Sequence, residues 1–404
     1  MDIVHERCAG LDVHKRTVVA CVRTGRGQET RTFGTTTEAL QELGGWLAAE
    51  QVTHVVMEST GVFWQPIYNL LEDTGLEVLV ANARQVKAVP GRKTDVKDAE
   101  WLAELLRHGL VRGSVILDRA GRELRELVRY RTTVIRQRAQ VVNRIQKVLE
   151  GANVKLSAVL SDIVGASGRA MLEALVEGSA TPEAVADLAV GRLRHKRPQL
   201  LAALRGSLGP HQRLVLGSQL RQLDFLEAEV TQLDAEIVRR MQGWKADLER
   251  LDSIPGINRR TAEVLVAEIG PDWSRFPTAS QLASWARLCP GNNESAGKRR
   301  SGRTGGGNPW LRSALIEAAW GAAHTRHTYL AAHFRRIAAR RGAKRASMAL
   351  AHTLLVIAYH VMRDGTMYQD LGETYLDERD RTHVVRRSIK RLERLGYKVT
   401  VEAA

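Results

Sequence analysis

The first 110 residues alternate between short apolar runs and longer amphipathic segments. Three runs of strand character, separated by short polar turns, predict a meander of three strands at 8–14, 17–23 and 29–36. Two helix–strand pairs and a last amphipathic helix follow. Their predicted ranges are helix 37–50, strand 52–60, helix 64–74, strand 76–82 and a helix within 94–106. The predicted element order is therefore βββαβαβα.

The pattern after residue 112 is helical. Apolar pairs recur every seven residues between Leu127 and Leu149, and a second row with this spacing runs from Leu216 to Ile237. Sustained seven-residue spacing predicts long helices packed as a coiled coil. Basic residues along the first of these helices can contact either a nucleic-acid backbone or solvent. They are Arg119, Arg122, Arg125, Arg129, Arg131, Arg136, Arg138, Arg144 and Lys147.

Residues 251–270, LDSIPGINRRTAEVLVAEIG, predict a helix-hairpin-helix with a turn at Pro255 and Gly256 and a helix beginning near Asn258. Such a turn exposes backbone N–H groups at a helix N-terminus, which can hold a phosphate without reading sequence. Gly256 and Asn258 are therefore candidate nucleic-acid contacts. An ordinary helical hairpin would have the same pattern.

These elements predict an α/β part followed by an all-α part. The order βββαβαβα is that of the ribonuclease H-like fold, an analogy that assigns no function by itself. The predicted domains are an α/β domain at 1–112, a helical coiled-coil region at 113–245, a mainly helical domain at 246–370 and a C-terminal tail at 371–404.

Composition makes a polyanion the expected partner. The chain has 404 residues, 60 of them Lys or Arg and 45 Asp or Glu, for a net charge of +15. The segment Arg287–Arg345 alone contains thirteen basic and two acidic residues. Clustered basic charge is typical of nucleic-acid binding. No apolar run reaches the about 18 residues of a membrane span, and neither a signal peptide nor a disulfide framework is visible. We therefore expect a cytoplasmic protein with no membrane partner.

Four carboxylates fall where the predicted fold would bring them together. Asp12 lies in the first strand or at its end, Glu58 closes the fourth strand, and Asp95 and Asp98 open the last helix. In a ribonuclease H-like sheet these three elements converge at one edge. Two Mg²⁺ ions about 4 Å apart would neutralise the acids and clamp a phosphodiester. Each acid also has a structural explanation, as a turn residue, a surface acid or a helix cap.

The stretch 289–320 is the least typical of a core. Its glycines, small polar residues and basic residues predict a mobile loop over a polyanion, ending at a helix that begins near Pro309. Among arginines, Ser295, Ser301 or Ser313 can hydrogen-bond a phosphate or attack phosphorus as a nucleophile, and composition does not separate these roles. The candidate phosphate-binding side chains are Lys298, Arg299, Arg300, Arg303 and Arg312.

The ordered acids, the IPGI hairpin and the loop ESAGKRRSGRTGGGNPWLRSALIEAAW together resemble the DEDD transposases of bacterial insertion sequences, the "one-ten" family. The resemblance covers nearly the whole chain. It implies a RuvC-like N-terminal domain with four metal-binding acids and a C-terminal transposase domain with a serine nucleophile. By motif position the nucleophile is Ser295. The family often has Ser-Gly there, whereas Ala296 follows Ser295, so Ser301, followed by Gly302, stays a second candidate. The implied Mg²⁺ ligands are Asp12, Glu58, Asp95 and Asp98.

The resemblance also implies the partners. These are donor and target DNA, a bridge RNA that pairs with both, and further copies of the chain in a dimer or tetramer with a composite site. A phosphoserine ester would conserve the bond, so that a 3′-hydroxyl could reseal it without ATP. Two alternatives remain open: a Holliday-junction-type hydrolase that uses the acids alone, and a non-enzymatic nucleic-acid-binding protein. Paired carboxylates without a metal would weaken phosphate binding, which argues against the second.

Overall fold

The computed structural model describes residues 2–59, 61–82, 98–291, 293–295, 298–301 and 304–402, with the backbone alone for the two shortest ranges. The chain divides into two compact units, Met1–Arg122 and Glu123–Ala404. The division into four domains suggested by the sequence stays a prediction.

The first unit is a mixed five-stranded sheet with helices on its faces. Its strands are β1 (Cys8–Val13), β2 (Thr17–Thr24), β3 (Gly27–Gly34), β4 (His54–Glu58) and β5 (Glu77–Ala81). Its helices are α1 (Thr37–Ala49), α2 (Trp64–Leu71) with a 3₁₀ turn at Glu72–Thr74, and α3 (Asp98–Arg107). The strands lie in the order β3-β2-β1-β4-β5, with β2 antiparallel to its neighbours and β4 parallel to β1 and β5. The predicted element order is confirmed, and the sheet is consistent with a ribonuclease H-like domain.

Strand residues alternate between the two faces of this sheet, as the two-residue period of a strand requires. Ala9, Leu11 and Val13 of β1 pack with residues of α1 and α2 in one apolar cluster. Cys8 lies in a second cluster with residues of α3, and Gly10 lies directly under the backbone of α3. The even-numbered positions of β1 therefore face α3.

Gly10 allows α3 to lie directly on β1. A Cβ at this position would be 2.3 Å from the carbonyl oxygen of Ala99 and 2.4 Å from the amide nitrogen of Ala103. Both are backbone atoms of α3, which cannot rotate away as a side chain can. Only glycine permits this separation between the strand and the helix.

Two contacts fix the direction of α3. The Cys8 thiol donates to the carbonyl oxygen of Ala103 at 3.6 Å, and the amide of Val4, before the strand, donates to the carbonyl oxygen of Arg107 at 2.8 Å. The C-terminal end of α3 thus lies at the start of β1, and the two elements run antiparallel. Asp98, the first described residue of α3, lies at the carboxyl end of β1.

The second unit is mainly helical. Its long first helix, α4 (Arg119–Gly151), begins just before the boundary between the units. The helices that follow are α5 (Leu156–Val159), α6 (Ala166–Glu177), α7 (Pro182–Asp187), α8 (Arg197–Ala203), α9 (Pro210–Arg240), α10 (Lys245–Asp252), α11 (Arg259–Ile269), α12 (Ala279–Trp285), α13 (Pro309–His324), α14 (Tyr329–Arg341), α15 (Ala343–Asp364), α16 (Tyr375–Arg379) and α17 (Arg381–Arg394). Short 3₁₀ turns lie at Gly191–Lys196, Gln242–Trp244 and Trp273–Arg275, and a small hairpin pairs β6 (Asn293–Ser295) with β7 (Lys298–Ser301).

The two long helices predicted from the seven-residue spacing are α4 and α9, of 33 and 31 residues. Their apolar residues share one core, in which Val134 and Val141 of α4 lie with Leu216, Leu223 and Leu226 of α9. Ion pairs connect Glu123 with Arg240, Arg131 with Asp234, and Arg138 with Glu227. Because the partner number falls as the number on α4 rises, the helices are antiparallel. Coiled-coil interlocking of their side chains stays a prediction.

A second core in this unit surrounds α15. Judged by length and composition alone, α15 is the one helix within the described residues that could cross a membrane. Half of its most apolar stretch is buried. Leu350, Leu354, Leu355 and Ala358 lie in the core. Core helices of soluble proteins also meet this criterion, and its packing gives α15 the position of a core helix.

Candidate functional site

Two of the predicted acids lie side by side at the ends of neighbouring parallel strands. Leu11 of β1 is paired with Met57 of β4, so Asp12 and Glu58 occupy the next position on each strand. Both residues are partly buried. Asp12 is two positions from Gly10 on β1, and Glu58 lies beside Asp12 on β4. The side chains of both therefore belong to the sheet face that α3 covers.

Asp98 approaches the same corner from α3. It is partly buried, and it directly precedes Ala99, which lies over Gly10. Asp12, Glu58 and Asp98 thus belong to three elements that meet at one end of β1, which we call the carboxylate corner. Asp95 lies outside the described residues. Among the side chains that the structure describes, no three Asp, Glu, His or Cys groups are close enough to hold a metal ion.

The donors of the carboxylate corner have the right chemistry for Mg²⁺. This ion is hard, prefers carboxylate oxygen and keeps several of its waters, so it binds through one or two carboxylates rather than a closed protein cage. Asp12 and Glu58 supply such oxygens from adjacent strands. The residues present therefore fit a magnesium ion.

His14 contacts the corner and was missed by the sequence analysis. Its Nε2 lies 3.0 Å from Oδ2 of Asp12. The His14 side chain is 60% exposed and that of Asp12 21% exposed. Side chains two positions apart along extended backbone share a face, so the signal for this contact was present in the sequence. The imidazole thus engages one of the two oxygens of Asp12.

Cys8 lies on the same sheet face as the carboxylate corner, beneath α3. Burial raises the pKa of its thiol to about 11, although the nearby charges of Arg107 and Arg23 oppose this shift. The thiol is therefore protonated at neutral pH. It packs as a small apolar group and is no candidate for the nucleophile.

The predicted mobile loop contains the hairpin β6–β7. The mobility of this loop stays a prediction, and the predicted helix start at Pro309 is confirmed by α13. Ser295 is paired with Lys298 next to the turn, and Ser301 with Asn293 at the other end. Ser295 thus lies at the tip of the hairpin and Ser301 at its base. The side chains of Ser295, Ser301, Lys298, Arg299 and Arg300, and the whole of Arg303, lie outside the described part of the structure.

Arg312 of α13 connects the two ends of the segment that carries this hairpin. Its Nη2 donates to the carbonyl oxygen of Arg287, before the hairpin, at 2.8 Å and to that of Gly305, after it, at 2.7 Å. A Cβ at Gly307 would be 2.5 Å from the carbonyl oxygen of Ala286, so the two ends are tightly packed. We call this region the hairpin neck. Arg312 is a candidate phosphate contact by its sequence, which contains no sign of its role at the neck.

Glu268 fixes the helix that follows the neck. Its carboxylate is fully buried and accepts from Nε and Nη2 of Arg129 at 2.7 Å and 2.8 Å. It also accepts from Nδ2 of Asn308 at 2.5 Å. Asn308 is the N-cap of α13, and its Oδ1 accepts from the amides of Trp310 and Leu311. The start of α13 is thereby tied to both α11 and α4.

Most arginines of α4 have carboxylate partners. Arg131 is only 2% exposed and donates to Glu263 at 2.6 Å. The remaining pairs are Arg119 with Glu72 and Asp73, Arg122 with Glu72, Arg125 and Arg129 with Glu268, Arg131 with Asp234, and Arg138 with Glu227. Arg136 lies over the ring of Trp310, 5.1 Å from its centre. For these residues the structure favours packing within the protein over contact with a nucleic acid.

The region predicted to be a helix-hairpin-helix contains α10, a tight turn and α11. Gly256 has a φ of +88°, and a Cβ there would be 2.2 Å from the carbonyl oxygen of Ala318 on α13. The turn thus packs against another helix. Asn258 is exposed and caps α11 by accepting from the amide of Thr261 at 2.9 Å. The two helices and the turn are present, and their use in phosphate binding stays a prediction.

Comparison with known proteins identifies the family to which the chain belongs. Residues 9–154 match the DEDD transposase family of IS110 type, and residues 248–335 match a family described as transposase IS116/IS110/IS902. The protein is therefore a transposase, an enzyme whose substrate is DNA. It belongs to the IS110 family, with the DEDD domain at the N-terminal end and the second transposase domain in the C-terminal half.

Related proteins cover most of the chain. One from Sinorhizobium fredii, whose name proposes a transposase (y4pF/y4sB), is 28% identical over 74% of this chain and 70% of its own length. The uncharacterized 43.6 kDa protein of insertion element IS110 from Streptomyces coelicolor is 27% identical over 72% of this chain and 76% of its own. The pilin gene-inverting protein of Moraxella lacunata is 23% identical over 88% of this chain and 95% of its own.

Proposed function

We propose that the protein cuts and rejoins DNA through a covalent phosphoserine intermediate, with Ser295 as nucleophile and Mg²⁺ bound by Asp12, Glu58, Asp95 and Asp98. The observation that carries this proposal is the position of Asp12 and Glu58 at adjacent strand ends, on the sheet face that α3 covers. Collecting carboxylates at one partly buried corner is unfavourable unless a cation offsets their charge.

The proposed chemistry conserves the phosphodiester bond. The Oγ of Ser295 forms a bond to phosphorus and loses its proton, while the 3′-oxygen of the DNA strand leaves and gains one. A 3′-hydroxyl then attacks the same phosphorus, and the serine leaves with a proton. Bound Mg²⁺ would supply polarisation of the phosphoryl oxygens. The side chains proposed to stabilise the developing charge are Lys298, Arg299, Arg300 and Arg303.

One observation supports rejoining over simple hydrolysis, and a second supports Ser295 over Ser301 as the nucleophile. The relative from Moraxella lacunata is named for inverting a pilin gene, and inversion of a DNA segment requires both cutting and resealing. The tip position of Ser295, next to the hairpin turn, also suits a nucleophile that must approach a bulky substrate better than the base position of Ser301.

The proposal extends to the partners. Donor and target DNA would be brought together by a bridge RNA, for which the net charge of +15 provides attraction. The acids belong to the first unit and the serine to the second. We propose that copies of the chain, as a dimer or tetramer in the cytoplasm, assemble the composite site.

A test of the nucleophile is the capture of the protein–DNA adduct. Wild-type protein with cognate DNA, guide RNA and Mg²⁺ should give a band that survives denaturing electrophoresis, and Ser295→Ala should abolish it. Ser301→Ala is the matched control, because it removes the same oxygen from the same hairpin, and it should retain the band. Loss of the band in Ser301→Ala alone would assign the nucleophile to Ser301.

The metal ligands are tested in the same assay. Asp12→Asn removes a charge with little change in shape, so cleavage should be lost while DNA affinity is kept. Cleavage without an adduct in wild-type protein, unaffected by Ser295→Ala, would instead identify a hydrolase that uses the acids alone. Full activity of Asp12→Asn in Mg²⁺ would refute the metal site.

A further inference from the structure

The helix α17 is a strongly cationic element that lies beyond both family matches, the second of which ends at residue 335. Its fourteen residues, RTHVVRRSIKRLER, include six Lys or Arg and one acid. None of them is buried. The sequence alone predicts only a C-terminal tail here.

The cations of α17 line one wall of a cavity of about 1190 Å³. The opposite wall comes from α14, which contributes Arg335 and Arg336, and from the segment 373–377. The cavity residues of α17 that carry a permanent positive charge are Arg386, Arg387, Lys390, Arg391 and Arg394. Seven cations thus face one space between two elements.

The two walls differ in how their charges are balanced. On α14, Arg335 lies 3.6 Å from Glu373 and Arg336 lies 3.0 Å from Asp380. Within the part of the chain that the structure describes, the side chains of the five α17 cations in the cavity take part in no hydrogen bond or ion pair. Arg387 and Arg391, and likewise Lys390 and Arg394, are four positions apart on the helix, where like charges repel. An anionic ligand in the cavity would remove this repulsion.

We propose that this cavity binds the phosphate backbone of duplex DNA. DNA is the substrate class of the family, and its closely spaced phosphates match a row of arginines along one helix. A basic amphipathic helix is also typical of membrane surfaces. Here, however, the cations face another protein wall and not an open plane, which favours a strand of phosphates. The proposal depends on the transposase assignment and not on the serine chemistry.

The test compares two triple variants with equal loss of charge. Arg387→Gln, Arg391→Gln and Arg394→Gln remove charge from the cavity, and glutamine keeps a similar helix propensity. Exposed arginines in the central helical region supply the control: Arg192→Gln, Arg205→Gln and Arg221→Gln. The probe is a DNA duplex of arbitrary sequence without Mg²⁺, and the measurement is Kd against salt concentration.

Each phosphate contact contributes about 0.9 to the slope of log K against log salt. The cavity variant should therefore lower the slope by about 2 to 3, and the control by less than about 1. Arginine-to-lysine substitution at the same three cavity positions should restore most of the slope. Adduct formation at saturating DNA should persist in every variant, which separates this proposal from the serine chemistry.

Three results would overturn the proposal. Equal slopes in the cavity and control variants would mean that only total charge matters. A loss of affinity for an RNA duplex with none for DNA would assign the cavity to RNA. Unchanged DNA binding with lost binding to phosphatidylserine vesicles would assign it to a membrane.

Discussion

Gly10→Ala tests whether the carboxylate corner depends on the close packing of α3 on β1. The new Cβ would lie 2.3 Å from the carbonyl oxygen of Ala99 and 2.4 Å from the amide nitrogen of Ala103. Ordinary contact begins near 3.4 Å. The helix must therefore move away from the strand by about 1 Å to relieve the overlap.

This displacement should impair catalysis more than folding. Overpacking of this kind costs about 1–3 kcal/mol, less than the stability of most domains. Asp98 would move with α3, whereas Asp12 and Glu58 would stay with the sheet. Because a misplacement of about 1 Å can lower a rate about 100-fold, we expect a loss of that size in strand cleavage. DNA affinity should stay unchanged, because no basic side chain is altered.

The assay is single-turnover cleavage at saturating Mg²⁺ and DNA, together with DNA affinity and the urea midpoint. Gly45→Ala is the matched control, because a Cβ at Gly45, inside α1, would have no atom within 4 Å. It should stabilise the protein by about 0.5–1 kcal/mol and keep full activity. Wild-type cleavage by a folded Gly10→Ala protein would refute the dependence of the corner on this packing.

Two further predictions follow from the second unit. Arg312→Lys keeps the charge but loses the Nη2 that joins both sides of the hairpin neck. Adduct formation should therefore fall at least about 10-fold, while DNA affinity is retained. A parallel loss of DNA affinity would instead support a phosphate contact by Arg312. Burial, and the positive charges of Arg336, Arg379 and Arg340, lower the pKa of His333 below its usual 6.5. Its neutral form stabilises the fold above about pH 6.5, and this contribution is lost as the pH falls through the lowered pKa. The melting temperature of wild type should therefore fall more between about pH 7 and about pH 5 than that of His333→Asn, and equal falls would contradict this account.

The sheet could be predicted because its signal is local. The strands β1, β2, β4 and β5 each contain an apolar run long enough to be recognised, and the turns that join β1 to β2 and β2 to β3 are short. The corner could be predicted for the same reason, since Asp12 and Glu58 interrupt or close apolar runs. The close approach of α3 could not, because Gly10 has the same appearance in a sequence whether or not a helix lies on it.

The hairpin β6–β7 and the buried ion pairs lacked such a signal. The strands consist of NES and KRRS, which contain no apolar residue and no alternation. Arg131 and Glu263 are 132 positions apart in the chain, and neither is distinguishable in sequence from an exposed residue. Tertiary partners thus decided the roles of residues whose local pattern was uninformative.

Whether a basic residue already has a carboxylate partner is a better guide to nucleic-acid contacts than the number of basic residues on a helix. Counted along the chain, the nine basic residues of α4 outnumber the six of α17. Most of those on α4 already have a carboxylate, as Arg129 has in Glu268 and Arg131 in Glu263. Moving such an arginine to a phosphate would take a hydrogen-bonded partner away from a buried carboxylate, which destabilises the protein. Since the cations of α17 lose no partner when DNA binds, their smaller number should contribute more to affinity.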